Sequence, residues 1–248
     1  ELSAVLMPAL AQQGRAEELG EVLSQEIDLA PEHERPPLLA DLGRVLLTLG
    51  REGEAVEALA EVLGAVPEDA ESLTALGELQ ERGQTTEVRL RATEVLAPIF
   101  RASGDLAALV RTLEVRADLD TSPHARLVAL SEAFEHVDAL AKDRVKALFL
   151  AGRGLREAVT HDVESVVEWL DRVARVAGDR GPSKAVVAET LASALRERAV
   201  DHPAIARLAE RTGEAYAAAG DTNRAIEALR RVLELEPDNI EVVDRIDE

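Results

Sequence analysis

LGRVLLTLGREGEAVEALAEVLGAVP, residues 42–67, decides the fold. Counted from Gly43, Leu46, Gly50, Ala55, Leu59, Val62 and Pro67 fall at offsets +3, +7, +12, +16, +19 and +24. Apolar residues three and four apart place one buried face on each of two helices, with Gly50 between them and Pro67 after the second. Each position has a steric reason. Gly43 lets a second helix come close, and Gly50 sits where the chain needs a left-handed turn to leave the first helix. Ala55 allows the helices to pack tightly, and Pro67 has no amide hydrogen with which to continue the ladder.

The same ladder recurs in TGEAYAAAGDTNRAIEALRRVLELEP, residues 212–237. From Gly213 it gives Tyr216, Gly220, Ala225, Leu229, Val232 and Pro237 at the same offsets. The anchor glycines stand 170 residues apart, five times the roughly 34 residues of a tetratricopeptide unit. Both segments resemble tetratricopeptide repeats. The resemblance implies an all-α, right-handed α-solenoid of stacked antiparallel helix pairs that binds partner proteins on its inner face.

Other segments fit in part. Gly14, Leu19, Leu23 and Pro31 keep the spacing, with Met7 where a small residue belongs. Leu76-Gly77 opens a repeat in which Gly83 arrives one residue early and Arg89 replaces the packing alanine, so that this repeat is broken or has lost a helix. Leu96-Ala97, Gly104, Leu109 and Leu113 form a further half-match, with Asp105 as the expected N-cap. From about 122 to 200 the ladder disappears while helical periodicity persists. Leu127, Leu130, Ser131 and Phe134 define one face, Val145, Leu148, Phe149 and Gly152 the next, and Val163, Val166, Val167, Leu170 and Val173 a third. The Gly178–Pro182 stretch is the strongest loop signal and the expected hinge.

About fourteen helices follow from these patterns, near 1–13, 15–29, 35–49, 52–65, 69–82, 86–102, 105–119, 123–137, 140–157, 162–177, 183–199, 203–219, 221–235 and 239–247. They make one continuous solenoid over 1–248: recognisable to degenerate units over 1–120, divergent pairs over 121–200, and over 201–248 a clear unit with the start of a further or capping helix. A start at Glu1 and an apolar stripe opening at Ile240, Val243 and Ile246 give the expectation of a fragment of a longer, bacterial-type protein.

Composition agrees with closely packed helices, since 46% of residues are hydrophobic and only 2% aromatic. With no cysteine there is no disulfide, thiolate metal site or thiol nucleophile. The absence of a long apolar run or a basic leader leads to the expectation of a soluble, cytoplasmic chain without membrane insertion. A net charge of −20 argues against nucleic acid. Residues 1–85 hold 18 acidic and 5 basic side chains, so the N-terminal third dominates the field. That surplus reads either as a solvated helix surface or as a face that steers a basic partner.

No residue pattern points to catalysis, a metal or a cofactor. His33, His124, His161 and His202 fall at helix junctions, and His136 is alone on its helix. The carboxylate pairs Glu17-Glu18, Glu52 with Glu54 and Glu68-Asp69 sit in first helical turns, where they complement the helix dipole. Gly152-Arg153-Gly154 lacks the strand and the further glycine that a phosphate loop needs. Among the aromatics, Phe100, Phe134, Phe149 and Tyr216 are expected in the core, while Trp169 flanks its apolar stripe and is a candidate partly exposed binding anchor.

Tetratricopeptide scaffolds that hold a carboxylate tail use Lys, Arg and Asn at inward positions. Here the equivalent positions are Ala40, Arg44 and Leu47, then Thr74, Glu78 and Glu81, then Glu210, Glu214 and Ala217. The clamp is absent. The expectation is therefore a non-enzymatic protein–protein interaction scaffold that takes a basic or amphipathic peptide or helix in an acidic groove, with Arg44, Glu78, Glu81, Trp169, Glu210 and Glu214 as partner-binding residues. The alternative is a structural spacer or regulatory region of a larger enzyme or sensor.

Overall fold

The computed structural model describes residue 10 and residues 13–140, 143–178, 181–197 and 201–247. Among these the regular elements are thirteen α-helices and two 3₁₀ turns, Glu32–Glu34 and Val163–Ser165, with no strand. They match the last thirteen of the expected helices; the first, at 1–13, lies almost wholly outside the described residues. Met7 and, within the expected hinge, Asp179 and Arg180 lie outside them as well. Contacts divide the chain into residues 1–119 and 120–248.

The first unit holds α1 (Ala16–Leu29), α2 (Arg35–Thr48), α3 (Glu52–Ala65), α4 (Ala70–Arg82), α5 (Thr86–Ser103) and α6 (Leu106–Leu119). The second holds α7 (Pro123–Ala139), α8 (Arg144–His161), α9 (Val166–Val176), α10 (Lys184–Leu195), α11 (Pro203–Ala219), α12 (Thr222–Leu235) and α13 (Ile240–Asp247). Successive helices pack on one another throughout the first unit, and in the second they do so except that α10 packs on α8 and α11 instead of α9.

The two ladders produce the same hairpin. A methyl group on Gly43 would stand 2.8 Å from Leu59 Cδ2, and one on Gly213 would stand 2.9 Å from Leu229 Cδ2, so the same pair of offsets makes the close approach twice. Gly50 and Gly220 take φ of +72° and +83°. The amides that follow them, Arg51 N and Asp221 N, donate to Leu46 O and Tyr216 O at 2.9 Å, which closes both helix ends. Ala55 and Ala225 are buried against the first helix of their pairs.

The repeat opened by Gly77 departs from this plan. No neighbour comes within 4 Å of a methyl built on Gly77, so no second helix backs onto α4 there. Gly83 has φ of −52° instead of a left-handed turn, and three residues lead into α5. α5 then behaves as a first helix itself. Ala97 is buried, Gly104 takes φ of +74°, Asp105 accepts from Ala108 N at 3.0 Å as the expected N-cap, and Leu109 and Leu113 are buried on α6. α4 packs on both α3 and α5, and what it lacks is the close helix approach that glycine makes in the two ladders. Nine helices, α2–α10, run from the start of the first ladder to the second, an odd number, so the 170-residue spacing equals five repeat lengths without holding five helix pairs.

In the second unit the Gly152-Arg153-Gly154 stretch is a packing device. A methyl on Gly152 would stand 2.6 Å from Thr190 Cγ2 on α10, and one on Gly154 would overlap the Trp169 ring. The indole fills that space at 2% exposure, edge-on to Phe134 with ring centroids 6.5 Å apart at 71°. The Arg172 guanidinium lies 4.3 Å above it, donates to Ser131 Oγ at 2.7 Å, and pairs with Glu168 at 2.9 Å and Glu135 at 3.3 Å. Buried charge is therefore fully engaged between α7 and α9.

Candidate partner-binding face

On α4, Glu78 and Glu81 stand one turn apart and exposed, and among the described residues neither has an ion-pair partner. They form one wall of a groove of about 200 Å³ between α4 and α6, whose floor is Leu96 and Phe100 of α5 and whose opposite wall carries Arg111. Thr74, the third inward position of this helix, lines the same groove and donates to Ala70 O at 2.7 Å.

The groove has a polar base built from the residues that break the repeat. Gln80 stands at the offset occupied by Leu46 and Tyr216 in the two ladders and by Phe100 on α5, and it is only 5% exposed. Its Oε1 accepts from the buried Thr112 Oγ1 at 3.1 Å. Its backbone carbonyl accepts from Arg89 Nε at 3.0 Å, and Arg89 is the residue at the alanine offset. Arg89, a misfit in the sequence, thus reaches the backbone of a second residue that departs from the ladder.

Some other acidic residues of this unit's surface are paired, while Glu17, Glu21, Glu61, Glu71 and Glu87, like Glu78 and Glu81, have no ion-pair partner among the described residues. Hydrogen bonding to the Arg51 guanidinium holds the Glu54 carboxyl below its ordinary range, and Arg91 does the same for Glu57 across 34 residues at 2.9 Å. The Asp69 carboxyl is also lowered, chiefly by the Ser72 amide that it caps at 2.8 Å. Its capping contribution is present above the ordinary carboxylate range and is lost as pH falls through the lowered value.

Of the six expected partner-binding residues, Arg44, Glu78 and Glu81 lie in the first unit and Trp169, Glu210 and Glu214 in the second. Arg44 pairs with Asp41 on its own helix. Trp169 is not a partly exposed anchor: the absence of a side chain on Gly154 admits the whole ring, and Phe134 and Arg172 cover it. Glu210 and Glu214 face Arg245 of α13 at 3.0 and 3.6 Å, and Glu214 also meets Arg211 at 3.0 Å. Reversing both, Glu210→Lys with Glu214→Lys, should free α13. Protection of residues 240–247 from hydrogen exchange should fall by roughly 1 kcal/mol, the upper range for exposed pairs; unchanged protection would show that apolar contacts alone hold the helix.

Phe149 also departs from expectation. It is 51% exposed, with Val145 at 70%, and lies beneath Lys146 and Arg153 at 5.5 and 5.8 Å, while Ala147, Leu148 and Ala151 take the buried face. Among the described residues no group of three or more His, Cys, Asp or Glu side chains could hold a metal, and no helix is long and apolar enough to cross a membrane.

Two cavities of the second unit had no sequence signal of their own. One of about 560 Å³, between α10 and α12, is lined by the Arg224–Glu189 and Arg231–Glu234 pairs. The other, about 280 Å³ and apolar, lies where Val187 and Leu191 of α10 face Leu170 and Val173 of α9, a helix of 11 residues beside the 17-residue α11.

A tetratricopeptide repeat family model matches residues 210–239. No curated protein matches the chain. Among solved structures, nearly identical TPR-like repeats of Podosopora anserina, assigned to a kinesin light chain, are 21% identical over 94% of this chain and 93% of that one, with a TM-score of 0.24. A point variant of the same repeats is 21% identical over 96% and 95%, with a TM-score of 0.23.

Proposed function

For this tetratricopeptide-type helical-repeat protein, we propose the role of an interaction scaffold whose α4–α6 groove receives a basic or amphipathic segment of another protein. The observation that carries the reading is the pair Glu78 and Glu81: exposed, unpaired among the described residues, and set at the edge of a groove where Leu96 and Phe100 lie beside the polar Gln80 and Thr112. Unpaired carboxylates at such an edge speed the approach of a cation and favour it over neutral competitors. No chemical step belongs to this role.

The second unit supports a different part of the reading. Its inward acids are neutralised by Arg245 and Arg211, and Trp169 is buried, which favours a structural role for 120–248. Arg44, tied to Asp41, is a peripheral contact at most.

A photo-crosslinking residue placed at Thr74 tests the groove in lysate of the source cell. The unaltered surface should capture one partner, with a yield that falls as salt rises, and Glu78→Lys with Glu81→Lys should reduce capture about tenfold or more at low salt. Equal capture by the charge-reversed protein at low salt would remove the acidic groove from the proposal.

A further inference from the structure

Beneath the acidic wall, the Gln80 side chain is more than nine-tenths buried, lines the groove, and has given its carbonyl oxygen to Thr112. Its amide nitrogen donates to no group among the described residues. That nitrogen is not sealed in the core but opens into the groove, and a position filled elsewhere by Leu46, Phe100 and Tyr216 gains nothing from an amide in packing terms. Thr112 fixes the amide plane, and Arg89 ties down the Gln80 backbone from below, so the donor is held in one orientation.

Resting on the function proposed above, we infer that Gln80 is a specificity-determining residue that donates to a backbone carbonyl of the bound segment, next to a lysine or arginine whose cation is held by Glu78 and Glu81. The occupant is an extended stretch, since a helix keeps its own carbonyls engaged. The groove, at about 200 Å³, has room for one long side chain with its flanking backbone and not for a helix some 10 Å across. Glutamine here replaces a core residue, so binding and stability separate: Gln80→Leu restores the side chain of the first ladder while removing the donor.

The test uses the 248-residue chain, ¹⁵N-labelled, with two probes: the blocked peptide acetyl-Ala-Arg-Ala-Ala-amide, which offers a cation and carbonyls, and methylguanidinium, which offers the cation alone. The peptide should shift the Gln80 side-chain amide signals. Gln80→Leu, and Gln80→Leu with Thr112→Val to avoid orphaning the threonine, should weaken the peptide about threefold to tenfold and leave methylguanidinium unchanged, as expected for one neutral hydrogen bond. Equal peptide affinity in all three proteins, with Glu78→Gln/Glu81→Gln still weakening it, would overturn the inference and leave the acidic groove standing. Indifference to the glutamate changes as well would overturn both. Tighter binding of free L-arginine than of the blocked peptide would overturn the inference in favour of a small-molecule site.

Discussion

Gly154→Ala should destabilise residues 120–248 by about 3 kcal/mol, the upper range for overpacking a filled core. On helix propensity alone the change would stabilise by roughly 1 kcal/mol. The methyl group, however, enters the volume of the Trp169 ring, which is 2% exposed, stands edge-on to Phe134 and is capped by Arg172, so it has no empty rotamer to occupy. Gly43→Ala is the control. Its methyl meets the buried Leu59 side chain, Cδ2 at 2.8 Å and Cγ at 3.0 Å, a smaller overlap than the 2.3 Å to the Trp169 ring, so after the propensity gain the net cost should be smaller, about 1 kcal/mol. Urea unfolding followed by circular dichroism measures both, and an unchanged midpoint for Gly154→Ala would show that the indole can swing away.

The second large effect is expected at one offset that the chain fills in two ways. Ala55→Arg should unfold residues 1–119 or cost about 4 kcal/mol or more, since it buries a charge with no partner and overfills the site. Ala55 is wholly buried among Leu39, Leu46, Ala58 and Val62. Arg89 stands at the same offset from Gly77 and is tolerated because its guanidinium reaches the Gln80 carbonyl at 3.0 Å beside the groove. Arg89→Ala should accordingly cost only about 1 kcal/mol, the worth of one hydrogen bond. Cooperative thermal melts distinguish them; similar midpoints would mean that the two sites are equally open to water.

The helices were legible because their signals are local. Apolar spacing, Asp105 as a cap, and glycine at the left-handed turns all act within a few residues, and each is found in the structure. Burial of particular side chains was less legible because it depends on partners distant in the chain. Trp169 looks peripheral on its own helix, but the space it fills is created by Gly154. Phe149 sits on an apolar stripe, but the core-facing arc is taken by Ala147, Leu148 and Ala151. The groove acids Glu78 and Glu81 were found from repeat offsets, whereas Gln80 was hidden because its offset predicts core. Glu210 and Glu214 share the same inward positions, and nothing in their own segment announces the arginine that reaches them from α13.

The odd helix α4, packed between α3 and α5 without a hairpin of its own, also limits how the molecule can be rebuilt. Helical arrays are ordinarily modular, growing or shrinking by whole hairpins while each remaining neighbour keeps an equivalent surface. Removing α2 and α3 would excise such a module intact. A cut of the same length beginning at α4 would take α5 with it and strand α6, whose buried Leu109 and Leu113 belong to the α5 pairing. The segment from α4 to α6 is therefore an indivisible joint between exchangeable parts, and the groove it carries would be inherited whole or lost whole.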